Sequence, residues 1–291
     1  MKEVVVISGK GGTGKTSLTS SLAYYFENRI MVDCDVDAPD LEIVFKPENY
    51  EEFDFIGAKK ARINQEKCTS CGLCRQVCNF DAVNLIDGKY TIDNLNCESC
   101  GACVYFCPVN AIDFEPEIAG KYFRGKTRFG ELVHAELEPG EENSGKLVVT
   151  VKKEAEKIIN QENIKNMLSD GTPGIGCAVI ASISGADYTV CVTEPGVSAI
   201  HDMKRVLELT RHFGIKCGVI INKADINPDK TLEIETFLLK NNICLLGKIN
   251  FDKNVINAQI NGQTIPEFDK KSDTALRVES IYKKLVEELN G

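Results

Sequence analysis

The sequence predicts an α/β protein: a doubly wound, mostly parallel sheet carrying an inserted α+β domain rich in cysteine. Three observations carry that expectation. A glycine-rich stretch, Gly9 to Thr16, stands between an apolar run, Val4 to Ile7, and a helical pattern that begins near Ser17. Strand-length apolar runs then alternate with helical stretches through the C-terminal half, as successive βα units do. Between these parts, eight of the thirteen cysteines fall within residues 68–107, in two matching runs.

Composition bounds the function. An apolar fraction of 43% and a charged fraction of 26% describe a globular domain with a real core. The net charge of −9 argues against nucleic acid as the main partner, because phosphate-backbone binding rests on clustered Lys and Arg. No apolar run reaches the length of a membrane span and residues 1–7 already read as a strand, so neither a membrane segment nor a signal peptide is expected. A cytoplasmic location follows, where abundant cysteine points to metal binding before disulfides.

Gly9-Lys10-Gly11-Gly12-Thr13-Gly14-Lys15-Thr16, followed by Ser17, fills every position of a phosphate-binding P-loop. Its glycines let backbone N–H groups turn onto phosphate oxygens. Lys15 reaches the β/γ-phosphates, and Thr16 offers a hydroxyl to Mg²⁺ at a helix N-terminus, whose dipole favours anions. The bland alternative is a βα turn without a ligand. Residues 2–33 read as a βαβ unit: strand Glu3–Ser8, a helix from about Thr16 to Asn28, and strand Arg29–Asp33. Asp33, Asp35, Asp37 and Asp40 follow the second strand, at the sheet edge where open α/β folds bind ligands; the alternative for them is a solvated turn.

The matching runs are Cys68, Cys71, Cys74, Cys78 and Cys97, Cys100, Cys103, Cys107, each spaced C-x₂-C-x₂-C-x₃-C. That is the bacterial two-cluster ferredoxin pattern, in which the fourth cysteine of one run ligates the other cluster. The sets should cross: Cys68, Cys71, Cys74 and Cys107 for one [4Fe–4S] cluster, and Cys97, Cys100, Cys103 and Cys78 for the other. Zinc is the competing reading of paired C-x₂-C. Pro108 follows the second run, whereas Asn79 follows the first, which removes a stiffener but no ligand. The expected organisation is residues 1–58 and 119–291 as two parts of the nucleotide-binding domain, and 59–118 as the inserted ferredoxin domain.

Residues 119–150 resist assignment, and the charged, turn-rich run from Glu138 to Lys146 reads first as a solvated loop. Val151–Gln161 reads as a helix and Ile164–Ser169 as a strand ending at Asp170, a Walker B placement for holding Mg²⁺ through water. The glycines of residues 171–176 allow a loop that moves with the γ-phosphate. Asp187–Thr193, Ile215–Asn222 and Ile243–Ile249 read as strands; Val197–Phe213, Pro228–Lys240 and Asp273–Leu289 read as helices, the last with Leu276, Ile281, Leu285 and Leu289 on one face. Cys34, Cys191, Cys217 and Cys244 lie in or beside apolar strands and read as core.

A lysine directly after the first glycine, Lys10, resembles the deviant P-loop of the MinD/ParA, Mrp and nitrogenase iron-protein class of dimeric ATPases. The ferredoxin insertion narrows the resemblance to MinD-superfamily ATPases that contain one, over essentially the whole chain. The resemblance implies ATP and Mg²⁺, a homodimer or a heterodimer with a related ATPase, Lys10 reaching the partner's nucleotide, Asp35 orienting the attacking water, and Asn222 with Asp225 at the base. It gives Cys177, seven residues beyond Asp170, two readings: a ligand for an additional labile metal shared across a dimer, or a small residue opening a helix. The implied function is assembly or delivery of an iron–sulfur or other metallo-cofactor to an acceptor protein. The alternative is ATP-gated electron transfer to a redox partner, and a third is a ParA/MinD-like positioning switch.

Overall fold

The computed structural model describes residues 1–141 and 143–290; Glu142 of the turn-rich run and Gly291 lie outside the described residues. The chain divides into two compact units, one of Met1–Phe53, Tyr122–Glu136 and Ser144–Gly291, the other of Asp54–Lys121 and Leu137–Asn143. In chain order, β1 (Lys2–Ser8), α1 (Lys15–Ala23), β2 (Arg29–Asp33) and α2 (Leu41–Phe45) open the larger unit. β3 (Glu48–Ile63) runs into the smaller unit, which holds α3 (Leu73–Gln76), β4 (Val83–Ile86), β5 (Lys89–Ile92) and α4 (Ala102–Tyr105). β6 (Ile112–Thr127) runs back out and β7 (Gly130–Leu137) follows it. Then come α5 (Ser144–Glu162), β8 (Asn166–Pro173), α6 (Cys177–Ile183), β9 (Tyr188–Thr193), α7 (Val197–His212), β10 (Lys216–Ile221), α8 (Pro228–Lys240), β11 (Cys244–Lys248), α9 (Asn254–Ile260), α10 (Ile265–Phe268) and α11 (Asp273–Asn290).

Nine strands form one sheet in the order β11-β10-β9-β1-β8-β2-β7-β6-β3. From β11 to β7 every neighbouring pair is parallel. Parallel strands covered on both faces need continuous apolar sequence, and Val4–Ile7 and Ile30–Val32 are accordingly buried. One face packs Leu18 and Leu22 of α1 against Ile281 and Leu285 of α11; the other packs Val179 of α6, Met203 of α7 and Ile234 of α8. Helices on both faces of a parallel sheet complete the three layers. The register matters for function: Asp170 of β8 pairs with Val6 of β1 on one side and with Asp33 of β2 on the other. Two carboxylates are thereby set side by side at the C-terminal edge of the sheet.

The structure revises several readings. Residues 119–150 are mostly ordered elements, the end of β6, then β7 and the start of α5. α5 begins at Ser144 rather than near Val151, because Leu147 and Val148 extend the buried stripe of Val151, Ala155 and Ile158. Glu141, read as part of a solvated loop, lies 2.9 Å from the buried ammonium of Lys60 within the smaller unit. α1 stops at Ala23, well before Asn28, which takes φ 44° in the turn to β2. On α11 the buried stripe is Ala275, Val278, Ile281 and Leu285, which leaves Leu276, one position off the period, 55% exposed.

Candidate functional site: a P-loop cleft and two cysteine cavities

The glycine-rich loop and the carboxylates after β2 meet in one cleft of about 610 Å³, lined by Gly11–Ser17, Asp35, Asp37, Ala38, Asp40, Thr172, Pro173 and Gln259. Sterics dictate the loop sequence. Gly14 holds φ +85°, which glycine adopts without cost. A Cβ on Gly9 would come within 2.7 Å of the Asp202 carbonyl carbon.

Lys15, at the start of α1, is buried, and its ammonium lies 2.8 Å from Asp170 and 3.6 Å from Asp35. Asp170 also accepts the Thr16 and Thr19 hydroxyls, each at 2.6 Å. Burial opposes the Lys15 charge, but the surrounding carboxylates, Asp170 first, outweigh it and raise the pKa. Asp33 is wholly buried. Its carboxylate accepts the backbone N–H groups of Asp35, Asp40 and Leu41 at 3.0 to 3.1 Å, pinning the whole loop between β2 and α2. Burial, then the charge of Asp170, pushes its pKa up to about 8 despite Lys15 and those amides. Asp35, less buried, is pushed to about 6, by burial first and against the pull of Lys15. The cleft and the residues directly behind it thus collect hydroxyls, an ammonium and a graded set of carboxylates, which is the equipment for binding a metal-bound polyphosphate and orienting a water.

Other expected residues have partners of their own. Lys10 forms an ion pair with Glu194 at 2.6 Å. The Asn222 side-chain amide donates to the Thr13 carbonyl, and Lys223 donates to Gly12 and pairs with Glu194. Asp225 accepts the Phe251 N–H at 2.6 Å, joining the loops after β10 and β11. Asn222 and Asp225, expected at the base, thus brace the P-loop and its neighbouring loop in this state. The sequence reading missed Gln259 of α9, whose amide donates to the Ser17 hydroxyl at 2.7 Å. Glu194 was missed as well; the signal for each lay only in the tertiary structure.

In the smaller unit, the cysteine runs repeat in backbone conformation as well as spacing. Ser70 and Ser99 both have φ 53°, and Gly72 and Gly101 have φ 76° and 73°. Those glycines open α3 and α4. Cys68, Cys71, Cys74 and Cys107 line one cavity with Ile63, Leu73, Tyr90 and Pro108. Cys97, Cys100, Cys103 and Cys78 line a second, with Phe80, Val83, Ile92 and Phe114. Backbone N–H groups point at sulfur: Ser70 at Cys68 at 3.4 Å and Ala111 at Cys107 at 3.2 Å. Burial pushes the Cys74 and Cys103 thiols up, and neighbouring cysteines add to it. Among the described residues, no three or more His, Cys, Asp or Glu side chains gather as a single-ion site. Cys177 opens α6 in the larger unit and is exposed. Cys34 and Cys191 are buried in the core. No helix among the described residues is long and apolar enough to cross a membrane.

Comparison with known proteins agrees with this geometry. Residues 4–265 match the family described as the CobQ/CobB/MinD/ParA nucleotide binding domain. The uncharacterized protein MJ0578 of Methanocaldococcus jannaschii is 35% identical over 77% of this chain and 79% of its own length. A second uncharacterized protein of that organism, MJ0579, is 27% identical over 92% and 93%. Among solved structures, the septum site-determining protein MinD of Pyrococcus horikoshii, complexed with Mg-ADP, superposes with a TM-score of 0.60 over 100% of this chain and 97% of its own, at 15% identity. Since the family match spans most of the chain, and the chain carries the P-loop and the parallel sheet, it belongs to the CobQ/CobB/MinD/ParA family and is a P-loop ATPase of the MinD/ParA type.

Proposed function

We propose that this ATPase carries two resident [4Fe–4S] clusters and couples a nucleotide-dependent dimer switch to electron transfer from them to a redox partner. The observation that carries the reading is the sorting of eight cysteines into two cavities of four, with the fourth member of each set drawn from the other run. Four thiolates are what each cubane needs, the crossing is that of the two-cluster ferredoxin pattern, and the amides directed at Cys68 and Cys107 suit sulfur that carries charge. Cys68, Cys71, Cys74 and Cys107 would hold one cluster, and Cys97, Cys100, Cys103 and Cys78 the other, each supplying one-electron chemistry when bound. In the nucleotide cleft, Lys15 and the N–H groups of the loop bind the phosphates, Thr16 and Asp170 hold Mg²⁺, and Asp35 orients the attacking water. Lys10 exchanges Glu194 for the nucleotide of a partner copy or of a related ATPase. Fully ligated clusters stay with their protein, which favours electron transfer over their use as cargo.

The second reading is assembly or delivery of a metallo-cofactor to an acceptor protein. The exposure of Cys177 favours it, since an exposed thiol at the start of α6 can meet its counterpart in a second copy. Iron per chain, in anaerobically reconstituted protein and in Cys177→Ala, with and without MgATP, separates the two. Electron transfer requires about eight irons in both proteins whatever the nucleotide. About two further irons per chain, lost in the variant and altered by MgATP, would overturn it in favour of delivery. Iron well below four per chain would sink both readings.

A further inference from the structure

The nucleotide loop is wired to the two strands that run into the cysteine unit, and the wiring converges on a short helix. The Asp33 carboxylate holds the N–H of Leu41, the first residue of α2. One residue on, the Glu42 carboxylate accepts the Tyr50 hydroxyl of β3 at 3.0 Å and meets His134 Nε2 of β7 at 3.1 Å. Burial holds His134 below its usual pKa against the pull of Glu42, whose carboxylate faces Nε2 of the ring. The ring stacks on Phe123 of β6, with centroids 4.9 Å apart and planes 19° apart. Tyr50 meets both rings edge-on. One carboxylate on α2 is therefore bonded to β3 and β7 directly and reaches β6 through a stacked ring.

The far end of α2 is held as well. Arg128, in the turn between β6 and β7, donates to the Val44 and Phe45 carbonyls that end the helix. The same guanidinium bonds the Gly262 carbonyl and Glu267, just beyond α9. α9 carries Gln259, bonded to Ser17 of the P-loop. Two routes thus leave the nucleotide cleft, one through Asp33 and α2 and one through Ser17 and α9, and both end on the β6–β7 turn. The strands they reach, β3 and β6, lead to Asn64, whose carbonyl accepts the Cys68 N–H, and to Ala111, whose N–H points at Cys107.

We infer that Glu42 is a positioning residue through which the nucleotide state of the P-loop is transmitted to β3 and β6, and so to the cysteine unit they carry. α2 is the element on which both routes converge: Asp33 holds its first residue, Arg128 its last carbonyls, and Glu42 the strands. The iron–sulfur arm of the test rests on the function proposed above, whereas the amide-exchange arm does not.

The experiment compares the full chain with Glu42→Gln and Tyr50→Phe, neither of which touches the cleft. Amide exchange of residues 112–137 is followed without nucleotide, with MgADP and with a non-hydrolysable MgATP analogue; the cluster midpoint potential is followed in parallel. Both responses should be present in the parent and reduced at least about fivefold in Glu42→Gln, with nucleotide affinity and iron content unchanged. Tyr50→Phe, which removes one exposed hydroxyl and keeps the ring, should lose part of the response and checks that the first variant is not simply misfolded. Undiminished exchange responses in both variants would overturn the inference, as would a parent response confined to residues 9–17 and 35–41. Chain that binds no iron but keeps a Glu42-dependent exchange response would sustain it and reject only the function proposed above.

Discussion

The ammonium of Lys15 and the carboxylate of Asp170 lie 2.8 Å apart, both buried, with the Thr16 and Thr19 hydroxyls on the same carboxylate. In the roles proposed above, a phosphate group arriving at the loop would take Lys15 from Asp170, and Mg²⁺ would sit beside Thr16. Asp170→Ala is therefore expected to act twice. It removes the carboxylate proposed to hold Mg²⁺, so hydrolysis should fall by about two orders of magnitude or more. It also strips a buried ammonium of its nearest counter-charge, leaving Asp35 at 3.6 Å, so the fold should lose about 3–5 kcal/mol, the usual cost of breaking a buried pair. Steady-state phosphate release and urea unfolding check the two effects; a variant as stable as the parent would show that Lys15 finds another anion.

Asp33 gives the chain a pH dependence of a stated sign. Its pKa rises from the ordinary carboxylate value to about 8 in the fold, by burial and then the charge of Asp170. The native state thus holds this proton more tightly than the unfolded chain does. The resulting stabilisation is complete below about pH 4 and is lost as pH climbs through about 8, at up to about 1.4 kcal/mol per pH unit. Asp33→Asn removes the titration, and it also gives up an acceptor for one of three amides, at about 1–3 kcal/mol. Urea midpoints from pH 5 to 8.5 should slope downward in the parent and run flatter in the variant. Equal slopes would mean that Asp33 keeps its charge.

Gly14 couples backbone strain to a contact. Its φ of +85° excludes a side chain on conformational grounds, and an added Cβ would meet the Asn222 amide nitrogen that holds the Thr13 carbonyl. Gly14→Ala should abolish nucleotide binding by calorimetry and destabilise the chain by about 1–3 kcal/mol. Adding Asn222→Ala removes the clash but not the φ penalty, so stability should return only in part. Full recovery in the double variant would assign the whole effect to the clash.

These residues were unequally legible in the sequence. The grouping of Lys15, Thr16 and Asp170 could be read because a P-loop motif fixes both residue type and position relative to a strand, and the structure brings the three together. The grouping of the eight cysteines could be read because their spacing repeats, and the structure sorts them into the same two sets of four. β6 and β7 could not: Asp113, Glu115, Pro116 and Glu117 give the start of β6 little apolar pattern, and β3, which flanks β6 on the side away from β7, is distant in sequence. Asn222 was legible as a motif but not in its contact, since its amide reaches a loop 209 residues away. Glu42, His134 and Arg128 carried no local signal at all; only the strand order brings His134 and Arg128 to Glu42 and the end of α2.

Cysteine replacement in pairs tests whether the ligand sets cross. Cys78 lines the cavity of Cys97, Cys100 and Cys103, and Cys107 lines that of Cys68, Cys71 and Cys74. Cys71→Ala with Cys107→Ala therefore removes two ligands from one cavity, and the reconstituted chain should keep about four irons. Cys71→Ala with Cys78→Ala takes one ligand from each cavity, although both replacements lie in the same run, and should leave neither cluster intact. If each run instead built its own cluster, the two outcomes would be exchanged, with four irons surviving in the second pair and none in the first. Zinc in place of the cubanes would appear as about two metal ions per chain, with no charge-transfer absorption in the visible. Iron analysis and the visible spectrum of the two double variants together decide among crossed clusters, uncrossed clusters and zinc.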